Sequence, residues 1–266
     1  MANKIISVAM SLFLAVTMLT GCGEDKETAT KKATDDATKK VQESVQKTVD
    51  TLKKTVDTLK SNVKEAVDKI DSAVTGNTPA GDVSKKSDGN MVMMETSMGK
   101  IKIKLYTDKA PITTGNFKKL INEGFYNGIK FHRVIDGFMI QGGDPLGTGT
   151  GGESVWGGKF DGGTDPHLIH AAGALAYANS GSTATDGSQF YIVTGEVYST
   201  EQLSSLEQSG YSFTDEQKEI YSKAGGAPWL DGNYTVFGQV IDGLDIIFKA
   251  QNVATGQNDK PETDLI

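Results

Sequence analysis

The stretch Phe131-His132-Arg133-Val134-Ile135-Asp136-Gly137-Phe138-Met139-Ile140-Gln141-Gly142-Gly143-Asp144 sets one permanent cation among apolar side chains. Arg133 never deprotonates in a protein, so it supplies a fixed charged donor and no transferable proton. Phe138, Met139 and Gln141 follow a tight turn and add hydrocarbon surface and one amide. Covalent catalysis has little to work with. The single cysteine, Cys22, lies far upstream, the chain has three histidines, and no Ser/His/Asp spacing is evident. His167 and His170 stand close in sequence without a third His or Cys, and read as loop or core histidines rather than as metal ligands. Gly147-Thr148-Gly149-Thr150-Gly151-Gly152 nearly fits a phosphate-binding loop, but Glu153 stands where the essential lysine would be, and a carboxylate repels phosphate. A backbone turn that admits close approach of other chain segments is the reading left.

Short runs between Gly-rich turns must position these groups. Met91 to Thr96 and Lys100 to Tyr106 read as a hairpin joined through Ser97-Met98-Gly99, with Ile101, Ile103 and Leu105 alternating with lysines. Asp108 and Pro111 introduce a helix through about Glu123, with Phe117, Leu120 and Ile121 on one face and Gly124 as its stop signal. Further strand-like runs are Lys130 to Val134, Phe138 to Gln141, Ala174 to Ala178, Phe190 to Val193 and Tyr234 to Val240. Many short strands with one or two helices predict a mainly β domain over 91–266, closed into an antiparallel barrel and capped by helices. Residues 199–223 interrupt it with a helix-like excursion containing Leu203, Leu206, Tyr211, Phe213, Ile220 and Tyr221, which reads as an inserted surface subdomain.

Before residue 91 the composition changes. Apart from the glycines on either side of Cys22, the 31 glycines and 6 prolines all fall from Gly76 onward, while Lys, Thr, Asp and Val fill the region upstream. Lys4 precedes an apolar run from Ile5 to Leu19, shorter than the ~20 residues a membrane-spanning helix needs. With its basic start and small residues before Cys22, the segment 1–21 reads as a signal peptide. Leu19-Thr20-Gly21-Cys22 resembles a bacterial lipobox, which implies a lipoprotein whose Cys22 is diacylated on sulfur and becomes the mature N-terminus. Two acyl chains at ~0.8 kcal/mol per buried methylene anchor stably where one does not. Residues 22–44 are too polar to fold and read as a disordered tether. From 45 to 74, Val45, Val49, Leu52, Val56, Leu59, Val63, Ala66, Ile70 and Ala73 alternate steps of four and three, predicting an amphipathic helical stalk with a narrow seam. A solitary spacer helix, oligomerisation through that seam and binding to a membrane surface all remain open. Residues 75–90, with Gly76, Pro79, Gly81 and Gly89, read as a flexible linker. The net charge of -7 offers no footprint for nucleic acid, which needs clustered Lys and Arg.

The stretch around Arg133 resembles the cyclophilins. Gly149-Thr150-Gly151-Gly152, Ala178-Asn179-Ser180-Gly181, Gly187-Ser188-Gln189-Phe190-Tyr191, Trp229-Leu230-Asp231-Gly232 and Val236-Phe237-Gly238 strengthen the resemblance, in the family's order across nearly all of 91–255. It implies a closed eight-stranded antiparallel barrel capped by two helices, with a proline-binding groove on one sheet face, and peptidyl-prolyl cis/trans isomerase activity. Carried over by position, Arg133 is catalytic with Gln141. Phe138, Met139, Tyr191 and Leu230 line the proline pocket; Gln141, Asn179 and Gln189 hold the peptide backbone; Trp229 and Tyr234 edge the groove. The implied partners are X-Pro-containing unfolded or exported polypeptides and, through Trp229, a cyclosporin-type ligand; no cofactor or metal is called for. Tyr234 stands where His is frequent, Tyr191 where Phe is usual, and Tyr177 and Ser180 where Met and Ala are usual, which bears on substrate preference and rate. Relatives continue past Asp264-Leu265-Ile266 through a final strand, so either a very short last strand or a truncated sequence is expected. A non-catalytic proline-peptide-binding or adhesion module on the same fold, and a scaffold organised by the stalk, are the competing readings.

Overall fold

The computed structural model describes residues 24–75 and 89–266. Cys22, the apolar run before it and most of the expected linker lie outside the described residues. The chain divides into two units, 1–56 and 57–266.

Among the described residues the second unit has seven strands: β1 (Met91–Thr96), β2 (Gly99–Leu105), β3 (Arg133–Ile135), β4 (Met139–Gly142), β5 (Ala174–Tyr177), β6 (Phe190–Val193) and β7 (Val236–Asp242). They form one antiparallel sheet in the order β1-β2-β7-β5-β6-β4-β3. The β1–β2 turn is held by Thr96, whose Oγ1 accepts from Met98 N and Gly99 N. Register shifts at Lys102/Ile103 and at Leu175/Ala176 bend the sheet into a curl. Among the described residues the sheet is a seven-stranded half-barrel, not the expected closed eight-stranded barrel. The edges β1 and β3 are instead bridged by the final residues, with Phe131 N donating to Leu265 O and Ser97 N to Ile266 O. These two backbone bonds, a third from Ile266 N to Ser97 Oγ and a buried Leu265 cover the edges without a strand ladder.

Helix α2 (Pro111–Asn122) lays Phe117 against Phe190, Phe237 and Tyr126 at centroid distances of 5.7, 5.1 and 5.1 Å. Its buried Asn116 donates to Tyr177 Oη and Gly187 O and accepts from Val155 N, tying helix, sheet and loop together. Helix α5 (Leu244–Ala250) buries Leu244, Ile247 and Ala250. The run from Lys130 becomes strand only at Arg133.

The insertion folds as two short helices, α3 (Thr200–Gln208) and α4 (Asp215–Lys223). Each starts with a reciprocal cap, Ser199 with Gln202 and Thr214 with Gln217, which satisfies N-terminal amides that have no helical partner. It is more than a surface excursion, because Leu203, Phe213, Ile220 and Tyr221 join the core.

Helix α1 spans Glu24–Thr75 and so includes residues 24–44, read from composition as a tether. No Gly or Pro falls within it, and nothing in its sequence stops a helix once started. In the first unit Val41, Val45, Val49 and Leu52 are exposed. Within the second unit Val63, Ala66, Val67 and Ile70 are buried in the core. There Lys69 pairs with Glu219 at 2.6 Å, Lys223 with Glu65 at 3.3 Å and Lys60 with Asp245 at 3.5 Å, and Asn62 donates to Lys223 O. Hydrogen bonds from Lys223 and Lys69 hold the Glu219 carboxyl down at about 2. Among the described residues no helix is long and apolar enough to cross a membrane.

Candidate active site

Side chains of a strand alternate between faces, and directly paired residues on neighbouring strands share one. Arg133 pairs with Gln141, Gln141 with Tyr191, and Tyr191 with Ala176, so these four form one row across β3, β4, β6 and β5. Val134, Ile140, Ile192 and Leu175 form the neighbouring row, point the other way and are all buried. The turn between β3 and β4 that brings Arg133 opposite Gln141 places Gly137 at φ 68°, a left-handed conformation that glycine adopts without a Cβ penalty. Gly143, at φ 81°, lies so close to Ser188 O that a Cβ would collide with it.

Most of the expected site residues cluster around this row. Gln141 Nε2 donates to Gln189 Oε1 at 2.9 Å, and Gln189 Nε2 donates to Gly151 O at 2.8 Å, so the two amides are held at fixed orientation. Met139 lies two residues before Gln141 on the same face of β4 and is fully buried. Phe138 packs against Trp229 with centroids 5.6 Å apart. Trp229 and the buried Leu230 belong to the 3-10 turn Pro228–Leu230. Tyr234 meets Tyr191 edge to face at 6.0 Å. Asn179 is set apart from the row: its Nδ2 donates to Asn233 O and its Oδ1 accepts from Gly181 N, which fixes the loop after β5.

Some groups at the site carry no warning in the sequence. Asp259 Oδ2 accepts from Arg133 Nε at 3.3 Å. Asn258 and Asp259 have φ values of 58° and 57°, a conformation uncommon for residues other than glycine, and this double kink turns the carboxylate toward the arginine. Both partners are well exposed, so the pair orients the guanidinium and adds little stability. His167 caps its own loop against Asp165, whereas His170 is fully buried between Asp231 and Tyr191. The signal for Asp231 was its place directly after Trp229-Leu230; none marked Asp259.

One face of the curled antiparallel sheet thus carries a partly exposed cation and two hydrogen-bonded amides beside the buried side chains of Met139 and Tyr191. The cyclophilin type peptidyl-prolyl cis-trans isomerase/CLD family matches residues 91–266. Proteins of Staphylococcus aureus strains USA300 and NCTC 8325 that carry the name of a peptidyl-prolyl cis-trans isomerase are 43% identical over 175 residues, covering 66% of this chain and 87% of theirs. A cyclophilin type peptidyl-prolyl cis-trans isomerase of Cryptosporidium parvum is 32% identical, with a TM-score of 0.54 over 66% of this chain and 93% of its own. The same protein was also crystallised in the presence of the dipeptide Ala-Pro and superimposes with a TM-score of 0.53. The chain belongs to the cyclophilin-type peptidyl-prolyl cis-trans isomerase family, and is an isomerase of X-Pro peptide bonds.

The loop from Asn179 to Gln189 carries Asp186, which is fully buried. Its Oδ2 accepts from Thr235 Oγ1 at 2.7 Å, while Oδ1 has no partner. Burial pushes this carboxyl up from 3.8 to about 7, against the Thr235 hydrogen bond. A carboxyl whose folded pKa is raised contributes stability below its unfolded value, and that contribution is lost as pH rises through the folded one. Asp186→Asn is therefore expected to be more stable than wild type at pH 8, with the difference closing toward pH 4. Urea unfolding of both proteins across that range checks it.

Proposed function

We propose that Arg133 accelerates isomerisation by stabilising the twisted X-Pro amide, and that the protein does this for exported chains at the outer side of the cytoplasmic membrane. The observation that carries the first part is the single-face row Arg133, Gln141 and Tyr191 across three strands. Rotation about the amide faces ~18–20 kcal/mol because conjugation must be broken, and exchange without a catalyst takes tens of seconds or more. In the twisted state the proline nitrogen is pyramidal and basic, so a fixed guanidinium donor helps it more than it helps the planar ground state. A charge-assisted hydrogen bond supplies about 1.5–3 kcal/mol. A 10⁵-fold acceleration needs about 7 kcal/mol. The remainder falls to the pocket of Phe138, Met139, Tyr191 and Leu230, which holds the prolyl ring away from water, and to Gln141, Gln189 and Asn179, which fix the flanking chain. No step needs a proton transfer or a cofactor.

By NMR exchange or a protease-coupled assay on an Ala-Pro peptide, Arg133→Ala should lower kcat about 10- to 150-fold, the equivalent of one charge-assisted hydrogen bond. Equal rates for the two proteins would remove the catalytic role of Arg133.

The proposal extends to a cyclosporin-type ligand, and the Trp229 indole, tilted against Phe138 with centroids 5.6 Å apart, supports it. Since the chain has two tryptophans, the titration is best done in a Trp156→Phe background, where Trp229 emission should change on addition of the drug. Emission that stays flat to saturating drug counts against this ligand.

The membrane location rests on Leu19-Thr20-Gly21-Cys22 and the apolar run ahead of it. Wild-type protein expressed in a bacterial host should incorporate labelled palmitate and Cys22→Ser should not; equal labelling of both would exclude lipidation at Cys22.

A further inference from the structure

Tyr191 brings a hydroxyl to the floor of an apolar pocket, and the fold disposes of it from behind. The Tyr191 hydroxyl lies 2.9 Å from His170 Nε2. His170 Nδ1 lies 2.8 Å from Asp231 Oδ1, which also accepts from the His170 backbone N–H. Asp231 Oδ2 accepts from Tyr221 Oη at 2.6 Å. Tyr191, His170 and Tyr221 are buried, and burial pushes both tyrosine hydroxyls well above their ordinary range, so both remain donors. With Asp231 accepting from Nδ1–H, the imidazole presents Nε2 as an acceptor, and every polar side-chain atom of this relay is satisfied. The His170 and Tyr191 rings lie nearly parallel, 12° apart, with centroids at 6.0 Å. Tyr221 belongs to α4 of the insertion, so the relay runs from the inserted helix to the pocket floor.

We infer that Tyr221, Asp231 and His170 are positioning residues for Tyr191, and that the 199–223 insertion thereby sets the affinity of the proline pocket. This rests on Tyr191 forming the pocket floor. The hydroxyl of Tyr221 touches no substrate; it holds Asp231, which fixes the tautomer and rotation of His170, which fixes the depth of the Tyr191 ring. A neutral hydrogen bond contributes about 0.5–1.5 kcal/mol, which corresponds to roughly two- to tenfold in an equilibrium. A small shift of the Tyr191 ring loosens the grip on the prolyl ring in the planar and the twisted states alike, while the pocket still excludes water and Arg133 stays in place, so the loss falls on KM and leaves kcat.

The test is NMR exchange kinetics on an Ala-Pro peptide for the full chain, Tyr221→Phe, Tyr191→Phe, the double variant and Arg133→Ala. Tyr221→Phe should raise KM about two- to tenfold at unchanged kcat, and should have no further effect in the Tyr191→Phe background. Long-range ¹H–¹⁵N spectra should show His170 as the Nδ1–H tautomer. An unchanged KM in Tyr221→Phe, an equal effect of Tyr221→Phe in both backgrounds, or an Nε2–H tautomer would each overturn the inference. Arg133→Ala keeps the two readings apart, since its loss falls on kcat: a slow Arg133→Ala beside a normal Tyr221→Phe sinks this inference alone.

Discussion

The active face depends on the register of β3 against β4 and of β4 against β6. Side chains alternate with a period of two, so a slip of one residue would send Arg133, Gln141 and Tyr191 inward and turn Val134, Ile140 and Ile192 outward. The second row is what prevents the slip. Its side chains are fully buried beside the aromatic group of Phe117, Phe190 and Phe237, and exposing them would forfeit about 1.5–3 kcal/mol each. The row of Arg133, Gln141 and Tyr191 is thus held by the residues that face away from it. The turn at Asp136 and Gly137 sets the same register locally, so loop and core agree.

A second constraint acts behind the face. Polar groups near an apolar pocket must be satisfied from inside the protein, because an unpaired buried donor or acceptor costs about 1–3 kcal/mol. Tyr191 meets this through His170 and Asp231, and Gln141 and Gln189 through each other and Gly151. These bonds satisfy the polar atoms from within the protein and turn the two amides to a fixed angle. Asp186 is an exception, with one carboxyl oxygen unpaired, and its burial raises its pKa to about 7.

The insertion and the C-terminal half of α1 extend the core on the side of α4. Val63, Ala66, Val67 and Ile70 supply the apolar contact, and the charges of Lys69, Glu219, Lys223 and Glu65 surround it. The burial contributes most of the stability, while the exposed ion pairs chiefly select the register of the helix. The same α4 carries Tyr221, so the segment that receives α1 is also the one that reaches the pocket floor through Asp231 and His170.

Local periodicity and turn chemistry were enough to read the β1–β2 hairpin, α2 behind Pro111 and the strands bearing Tyr191 and Gln141, because each depends on residues within a few positions. The opposition of Arg133 and Gln141 was legible for the same reason, being two arms of one tight turn. Contacts between distant residues were not. Asp259 reaches Arg133 from 126 residues away, and His170 meets Asp231 across 61. The alternating seam of α1 predicted an apolar stripe; that Val63, Ala66 and Ile70 bury themselves in the domain, and that the seven strands among the described residues curl into one sheet, was decided by tertiary packing. A sequence states which side chains share a face, since that follows from backbone geometry alone. What that face meets is a property of the folded chain, where segments far apart compete to cover the same surface.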